Sequence, residues 1–183
     1  MSRPTASESN DRTEWVRQAV ATHQRSLIRY VISLTGDSEA AQDIAQETFM
    51  RLCSQSKEAL ESHLGAWLFT VARNRALDYL RKGDRVSSLT DAQLESRREE
   101  SPNPADALET RETVNNVIAL IDRLPKNQRE VVRLKFQNQL SYQEISEVTT
   151  LSIGNVGFLL HTALRTLRHQ LAQLDRRSRP ARD

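Results

Sequence analysis

The chain has 183 residues, of which 27% are charged, 38% are hydrophobic and 5% are aromatic, with a formal net charge of +2. This length is comfortable for two small domains, and so small a net charge does not by itself indicate a nucleic-acid partner. Cys53 is the single cysteine, which excludes an intramolecular disulfide and a cysteine-based metal cluster.

Several further classes of protein are excluded by what the sequence lacks. The four histidines form no HxxxH or HExxH pair and there is no glycine-rich phosphate loop, so we predict no metal, no cofactor and no catalytic residue. No window approaches the roughly 18 apolar residues of a membrane span, and the polar first residues do not resemble a secretory signal. We therefore expect a cytoplasmic protein without membrane insertion. No segment alternates apolar and polar residues as a strand would, so the predicted fold class is all-α.

Two helices open the first predicted domain. Val20, Leu27, Val31 and Leu34 recur at helical spacing up to Thr35-Gly36, where the glycine can adopt a left-handed cap. Asp37 can then cap a second helix. The apolar face of that helix is predicted to consist of Ala41, Ile44, Ala45, Thr48, Phe49 and Leu52.

The opposite face of the second helix carries four residues at positions i, i+3, i+4 and i+7, which form one continuous stripe. We call Asp43, Gln46, Glu47 and Met50 the carboxylate stripe. A solvated helix face explains it as well as a binding surface does. Acid–base chemistry is a weaker interpretation, because no histidine, lysine or metal site accompanies the carboxylates.

A third helix is predicted from about Leu64 to Lys82. Its buried residues are expected to be Leu64, Leu68, Val71, Leu77 and Leu80. Between Arg73 and Arg85, five basic residues stand against two acidic ones, and aromatic residues are interleaved with them. Such interleaving suits single-stranded nucleic acid, because bases stack on rings while cations follow the phosphates. The alternative is that Trp67, Phe69 and Tyr79 are ordinary core residues, although we expect Trp67 to be only partly buried.

An acidic segment separates this domain from the next. Pro102-Asn103-Pro104 stops any helix there, although Ala92 to Glu100 could be transiently helical. The predicted organisation is an N-terminal polar segment and helix start (1–19), a first domain (20–85), a linker (86–107), a second domain (108–175) and a basic tail (176–183).

The second domain begins with an apolar stripe that ends at Leu124-Pro125. The stripe consists of Val114, Val117, Ile118 and Ile121. Pro125 fits the first turn of a following helix. That helix is predicted to carry Val131, Leu134 and Phe136.

A helix-turn-helix pattern follows. Ser141 and Glu144 have the spacing of a capping box, Thr149-Thr150 interrupts the helix, and Ser152 can cap the next one. In such a motif the first helix braces the second in the major groove, although a plain αα-hairpin with a packing role is the alternative. The final helix carries an apolar register of Val156, Leu160, Ala163, Leu167, Leu171 and Leu174.

The predicted groove-facing residues of the final helix form a poorly charged set. They are Asn155, Gly157, Phe158, His161, Thr162 and Arg165. Arginine and lysine usually supply both guanine readout and phosphate neutralisation, so we expect weak binding to duplex DNA. Alternatively, Phe158 and Leu159 form an apolar patch for a protein partner.

Taken together, these segments resemble a bacterial sigma factor of the extracytoplasmic-function class, the compact two-domain members of the sigma-70 family. Asp43-Ile-Ala-Gln-Glu-Thr-Phe49 with Arg51-Leu52 is similar to the segment that binds the clamp of the largest polymerase subunit. Ala66 to Asn74 and Asp78-Tyr-Leu-Arg81 look like the segment that melts and reads the −10 element. Leu124-Pro125 to Glu130, with Leu140-Ser-Tyr-Gln-Glu-Ile145, resemble the domain that binds the −35 element and the polymerase flap.

The resemblance implies a promoter-directing factor without catalytic residues, with core RNA polymerase and promoter DNA as partners and an anti-sigma factor as a possible further one. It places core-polymerase binding on the carboxylate stripe. The implied −10 set is Trp67, Arg73, Asn74, Arg75, Asp78, Arg81 and Lys82, and the implied −35 set is Ser141, Tyr142, Ser152, Asn155, Phe158, His161 and Arg165.

The sequence departs from the family pattern at two places. Thr150 stands where a glycine is usual in the helix-turn-helix turn, and Gly157-Phe158-Leu159 stands where a basic or hydroxyl-bearing run is usual. Two other classes of protein are alternatives. A free-standing helix-turn-helix regulator leaves the segment from Trp67 to Lys82 unexplained, and an enzyme would have to rely on the carboxylate stripe.

Overall fold

The structure is a computed structural model that describes residues 6–87 and 117–178, with side chains described for 10–83 and 117–173. All the regular elements in those ranges are helices, which confirms the predicted all-α class. Contacts divide the chain into two compact units. The first contains α1 (Ala6–Thr35), α2 (Ser38–Leu52), α3 (Lys57–Leu60) and α4 (Leu64–Ser87). The second has helical residues 117–122, called α5, then α6 (Lys126–Phe136), most of α7 (Tyr142–Thr149) and α8 (Ile153–Ser178).

The junction between α1 and α2 forms as the sequence predicts. Gly36 has a φ of 72°, and its amide donates to the carbonyl of Ile32 at 2.8 Å. The Asp37 carboxylate then accepts from the amides of Glu39 at 2.9 Å and Ala40 at 3.0 Å, which satisfies donors that a helix N-terminus leaves unpaired. The glycine and the cap together define the sharp turn that lays α2 against α1.

The core of the first unit lies between α1, α2 and α4. All six residues predicted for the apolar face of α2 are buried, and Tyr30 of α1 meets Phe69 of α4 edge-to-face with ring centroids 5.2 Å apart. The helix α1 also starts earlier than its apolar pattern suggested, since Trp15 and Ala19 are buried within the segment predicted to be polar. Arg12 ties this early part of α1 to the end of α2 by donating to the carbonyls of Cys53 and Gln55, at 2.5 and 2.7 Å.

The prediction for the buried face of α4 is wrong at most positions. Of the predicted residues only Leu68 is buried, whereas Leu64, Val71, Leu77 and Leu80 are half-buried. The core is reached instead by Ala66, Phe69, Ala72 and Ala76. The alanines let the backbone of α4 pack close to its neighbours, and this turns the larger aliphatic side chains toward the flanks of the helix. The helix also continues through Gly83 to Ser87.

In the second unit, the junction between α5 and α6 is held by two arginines of α6. Arg133 forms an ion pair with the carboxylate of Asp122, and Arg129 donates to the backbone carbonyl of the same residue at 2.9 Å. Pro125 is the N-cap residue and not part of the first turn, a shift of one position from the prediction. On α5, Ile121 is buried as predicted but Ile118 is 42% exposed, and Leu120 and Leu124 complete the core.

The helix-turn-helix is confirmed in its capping chemistry. Ser141 and Glu144 form the complete capping box, and the Ser152 hydroxyl accepts from the amide of Asn155 at 3.2 Å. Thr150 adopts φ 61° and ψ 18°, and the Ser146 hydroxyl closes the turn by donating to the carbonyl of Leu151 at 2.6 Å. On α8, Val156, Leu160, Ala163 and Leu167 are buried as predicted.

Some predictions fall outside the described residues. These are Val114, the linker segments around Ala92 to Glu100 and Pro102 to Pro104, the side chain of Leu174 and the end of the basic tail. Within the described ranges, the helices are too short or too polar to cross a membrane.

Candidate nucleic-acid and protein interfaces

The carboxylate stripe lies on the outer face of α2. Asp43, Gln46 and Met50 are exposed, and Met50 is 66% accessible although it is a large apolar side chain. The burial of the opposite face of α2 sets this orientation, because a helix that packs Ile44, Thr48 and Leu52 inward must present residues 43, 46, 47 and 50 outward. The arrangement is an accessible surface of mixed acidic and apolar character.

Glu47 differs from the other members of the stripe because its carboxylate is engaged within the unit. Its Oε1 lies 2.6 Å from Nη2 of Arg75 on α4 and 3.4 Å from Nη2 of Arg51 one turn along α2. The carboxylate stripe and the basic helix α4 therefore share an ion pair, which the sequence spacing could not indicate.

The outer face of α4 carries most of the predicted −10 residues. Asn74, Arg81 and Lys82 are exposed, while Asp78 and Trp67 are half-buried, as expected for Trp67. Trp67, Asn74, Asp78 and Arg81 follow the helical spacing of one stripe. Asp78 pairs with Arg81 at 3.0 Å. A surface depression is lined by Arg75, Asp78, Arg81 and Lys82, so three cations and one carboxylate surround it.

Three other side chains of α4 are not members of that stripe. Arg73 is half-buried on a flank of the helix, and Phe69 belongs to the core. Arg75 lies at the edge of the stripe, bonded to Glu47. The structure thus brings five of the seven predicted −10 residues onto one face and holds Arg73 and Arg75 at its borders.

Tyr79 is 41% exposed and makes a contact that sequence reasoning missed. Its hydroxyl donates to Oδ2 of Asp37 at 2.6 Å, so the cap of α2 is bonded to α4. This hydrogen bond lowers the pKa of the Asp37 carboxyl, helped by the backbone amides of Ala40 and Glu39. The same bond raises the pKa of Tyr79, because it favours the protonated hydroxyl. Together with Glu47–Arg75, it fastens α4 to α2 at two points one turn apart on α4.

The outer face of α8 presents the predicted duplex-facing residues. Asn155, Phe158, His161 and Arg165 are exposed, with Phe158 66% accessible. Thr162 is half-buried beside them. Arg168 is exposed and stands three residues after Arg165 and seven after His161, so it belongs to the same face although the sequence analysis did not single it out.

The predicted −35 residues outside this face, Ser141, Tyr142 and Ser152, make structural contacts within the unit. The hydroxyls of Ser141 and Ser152 act as helix caps. The Tyr142 ring is 43% exposed, lies 5.5 Å from the Lys135 ammonium, and would be 3.7 Å from a Cβ placed on Gly157. Gly157 therefore leaves space beside this ring, and Tyr142 bridges α6, α7 and α8.

Comparison with known proteins follows the division into two units. Residues 19–86 match the model for Sigma-70 region 2, and residues 115–167 match the model for Sigma-70, region 4. The chain is 31% identical to the ECF RNA polymerase sigma factor SigM of Bacillus subtilis over 147 residues, covering 80% of this chain and 88% of SigM. It is also 31% identical to SigL of Mycobacterium tuberculosis over 156 residues, covering 83% of this chain and 86% of SigL.

Two solved structures are similar in fold. The sigma factor RpoE of Bartonella quintana, crystallised with the anti-sigma factor NepR, has a TM-score of 0.66 at 23% identity and covers 85% of this chain and 96% of its own. CnrH, in complex with the cytosolic domain of CnrY, has a TM-score of 0.56 at 22% identity and covers 88% of this chain and 90% of its own.

Proposed function

The chain belongs to the extracytoplasmic-function sigma factors of the sigma-70 family, and from its surfaces we propose which residues perform each part of that activity. As a sigma factor it binds core RNA polymerase and directs it to promoters for transcription initiation. The observation that carries this assignment is the presence of both sigma regions on one chain, each on its own helical unit. A free-standing regulator has no support from the comparisons.

Binding to the polymerase clamp is assigned to the carboxylate stripe. Asp43, Gln46 and Met50 support this role because they are exposed on a helix whose other face is fixed in the core. Glu47 lies at the edge of the same surface, where Arg75 and Arg51 neutralise it. The family consists of initiation factors, and we propose no catalytic step for this chain.

Reading of the −10 element is assigned to the outer face of α4. Trp67 can stack on an unpaired base, and Asn74 can hydrogen-bond to it. Unstacking a base costs a few kcal/mol, which stacking and hydrogen bonding in the new site offset. Arg81 and Lys82 line the depression beside Asp78 and suit the phosphates of a single strand. Arg73 and Arg75 stay in this set as border residues.

Contacts to the −35 duplex are assigned to α8, with Asn155, Phe158, His161, Arg165 and Arg168 on its outer face. Ser141, Tyr142 and Ser152 support that face from the helix ends and the neighbouring helix. The same unit is proposed to meet the polymerase flap, and the cytoplasm is the proposed site of action. An anti-sigma factor is proposed as a partner because the similar RpoE of Bartonella quintana was solved in complex with one.

The assignment of the carboxylate stripe is tested with core polymerase. Charge reversal at Glu47 would place a third cation beside Arg51 and Arg75, so the informative variant is Asp43→Lys with Gln46→Lys, which leaves that ion pair intact. We expect this double variant to lose association with core polymerase in a pull-down and to lose promoter-directed run-off transcription. Its helix content by circular dichroism should not change, since exposed substitutions usually cost within about 0.5 kcal/mol.

The matched control makes the same change of charge elsewhere on the first unit. Gln18→Lys with Glu61→Lys alters exposed residues outside the carboxylate stripe. This control should bind core polymerase normally. If both double variants lose binding equally, the effect is one of net charge and the stripe is not the contact.

A further inference from the structure

Arg75 stands between two possible anionic partners. Its Nη2 is bonded to Glu47 on the carboxylate stripe, yet the same side chain lines the depression that Asp78, Arg81 and Lys82 share. Those other residues belong to the surface that we assign to single-stranded promoter DNA. A guanidinium whose charge is compensated by a carboxylate attracts a phosphate less strongly than an unpaired guanidinium does.

The ion pair between Arg75 and Glu47 is weak enough for a phosphate to replace Glu47 as the partner of Arg75. The Arg75 and Glu47 side chains are 32% and 45% exposed, and pairs with this much access to water are weak. The Nε of Arg75 is buried without a hydrogen-bond partner, so Glu47 leaves one donor of the guanidinium unsatisfied. A phosphate with several acceptor oxygens can satisfy more of the donors in that fork than a single carboxylate oxygen does.

Glu47 has an alternative cation as well. Arg51, one turn along α2, lies 3.4 Å from the same Oε1 atom and is 46% exposed. If Arg75 moves away, Arg51 can still neutralise Glu47, and the carboxylate also faces the surface that we assign to the polymerase clamp. The release of Arg75 therefore leaves no isolated charge behind on α2.

We propose that Glu47 masks Arg75 in the free protein, and that Arg75 becomes a phosphate-binding residue for single-stranded DNA when the carboxylate stripe is covered by core RNA polymerase. The ligand class is the phosphate backbone of a single strand. The second half of this inference rests on the proposed function of the carboxylate stripe, whereas the masking itself concerns the free protein alone.

Masking is measured on the full chain with a fluorescent single-stranded oligonucleotide, by anisotropy across a series of salt concentrations. Each phosphate contact on a single strand adds about 0.7 to the magnitude of the slope of log K against log salt. We expect Glu47→Gln to steepen the slope by about 0.7 relative to wild type. Arg75→Gln should remove that gain in the Glu47→Gln background and leave the wild-type slope unchanged.

Two variants and one structural check serve as controls. Glu39→Gln removes the same charge from an exposed position of α2, and Arg51→Gln removes the other cation near Glu47. Neither should steepen the slope. Circular dichroism must show the same helix content for all variants. The masking is overturned if Glu47→Gln leaves the slope unchanged or fails to bind DNA at low salt. It is also overturned if Arg75→Gln changes the slope equally in the wild type and in the Glu47→Gln variant.

Release is measured with the same oligonucleotide on the complex with core polymerase. There Arg75→Gln should reduce the slope by about 0.7 although Glu47 is intact. If Arg75→Gln leaves the slope of the complex unchanged, the release step is overturned. The masking is tested by the free protein alone. Failure of the wild-type chain to associate with core contradicts the proposed function itself and is seen directly in the pull-down.

Discussion

At the scale of single residues, two backbone positions have unusual geometry for the residues that occupy them. Thr150 and Gln139 have φ values of 61° and 57°. The left-handed region crowds the Cβ of an L-residue against the carbonyl oxygen, and β-branched threonine suits it poorly. The glycine that is usual in the family at this turn avoids that cost, so the departure seen at Thr150 is a local strain in an otherwise regular helix-turn-helix.

Thr150→Gly is therefore expected to stabilise the protein. Relief of the left-handed strain contributes roughly 1–2 kcal/mol, and the added freedom of glycine in the unfolded chain offsets roughly 0.4–1 kcal/mol of it. Urea unfolding should show a net gain of up to about 1.6 kcal/mol. Gln139→Gly should change stability in the same direction. A glycine at the buried helical Thr149 is the opposing control, and a loss of stability in Thr150→Gly would contradict this explanation.

The Asp37–Tyr79 hydrogen bond leads to a second prediction, which concerns how the stability of the protein depends on pH. Because the folded pKa of Asp37 is lowered, its stabilising contribution is fully present above the ordinary carboxyl pKa and is lost as the pH falls through the folded value. The bond to Tyr79 is the largest cause of that shift. Tyr79→Phe should thus destabilise the protein at neutral pH and make its stability fall less steeply in acid, below about pH 4.

This is measured by urea unfolding of wild type and Tyr79→Phe between about pH 2.5 and 7. The two curves should converge as Asp37 becomes protonated. Tyr142→Phe, which changes an exposed tyrosine of the second unit, is the control and should differ from wild type by a constant amount. Parallel curves for Tyr79→Phe and wild type would exclude the coupling to Asp37.

At the scale of elements, α4 combines a structural and a recognition face. Alanines on its inner face bring it close to α1 and α2, while Asn74 and Arg81 stand outward. Asn74→Ala should blunt the base preference of single-stranded −10 binding. Arg81→Ala should weaken binding to all sequences alike and reduce the salt slope by about 0.7, as a phosphate contact does. Anisotropy with matched and mismatched oligonucleotides separates the two effects, and identical behaviour of the variants would remove the division of roles.

The recognition face of α8 differs from that of α4, because the apolar ring of Phe158 projects from its middle. Phe158 is so exposed that Phe158→Arg should cost little stability, and it adds a cation between Asn155 and Arg165. We expect it to strengthen binding to duplex DNA and to steepen the salt slope by about 0.9. Leu159 is half-buried and is better left unchanged.

Promoter output distinguishes the two interpretations of Phe158. If duplex binding strengthens and transcription with core polymerase is kept, α8 is a weak DNA reader that tolerates a cation. If transcription collapses although duplex binding holds, Phe158 contacts a protein. Phe136→Arg, at another exposed phenylalanine of the same unit, controls for the loss of an exposed aromatic residue.

At the scale of the whole molecule, basic and acidic residues nearly balance, at 26 against 24. Non-specific affinity for duplex DNA comes almost entirely from phosphate neutralisation, so a chain with this balance should bind duplex promoter DNA weakly by itself. We expect a Kd in the range of roughly 10⁻⁴ to 10⁻⁶ M for the full chain, and much tighter promoter binding once core polymerase is added. Nanomolar binding by the chain alone in a mobility-shift assay would contradict this.

The sequence alone determined the helical class, the two-domain order and the local chemistry of the helix ends. Gly36, Asp37, the Ser141–Glu144 capping box and Ser152 act within a few residues of themselves, so their spacing is sufficient to predict them. The apolar periods of α2 and α8 also identified their buried faces, because on both helices most of the large apolar residues lie on one side. Family-level motifs then indicated the function, whereas the assignment of its parts to α2, α4 and α8 stays a prediction.

Only the tertiary structure decided the rest. On α4 large apolar residues lie all round the helix, so their positions do not identify the inner face. That face is the one whose alanines allow close approach to α1 and α2. Glu47–Arg75 and Asp37–Tyr79 join residues 28 and 42 positions apart, which no helical period relates. Such pairs form because packing brings two helix surfaces together, and they show that the surfaces proposed for polymerase and for single-stranded DNA are physically connected.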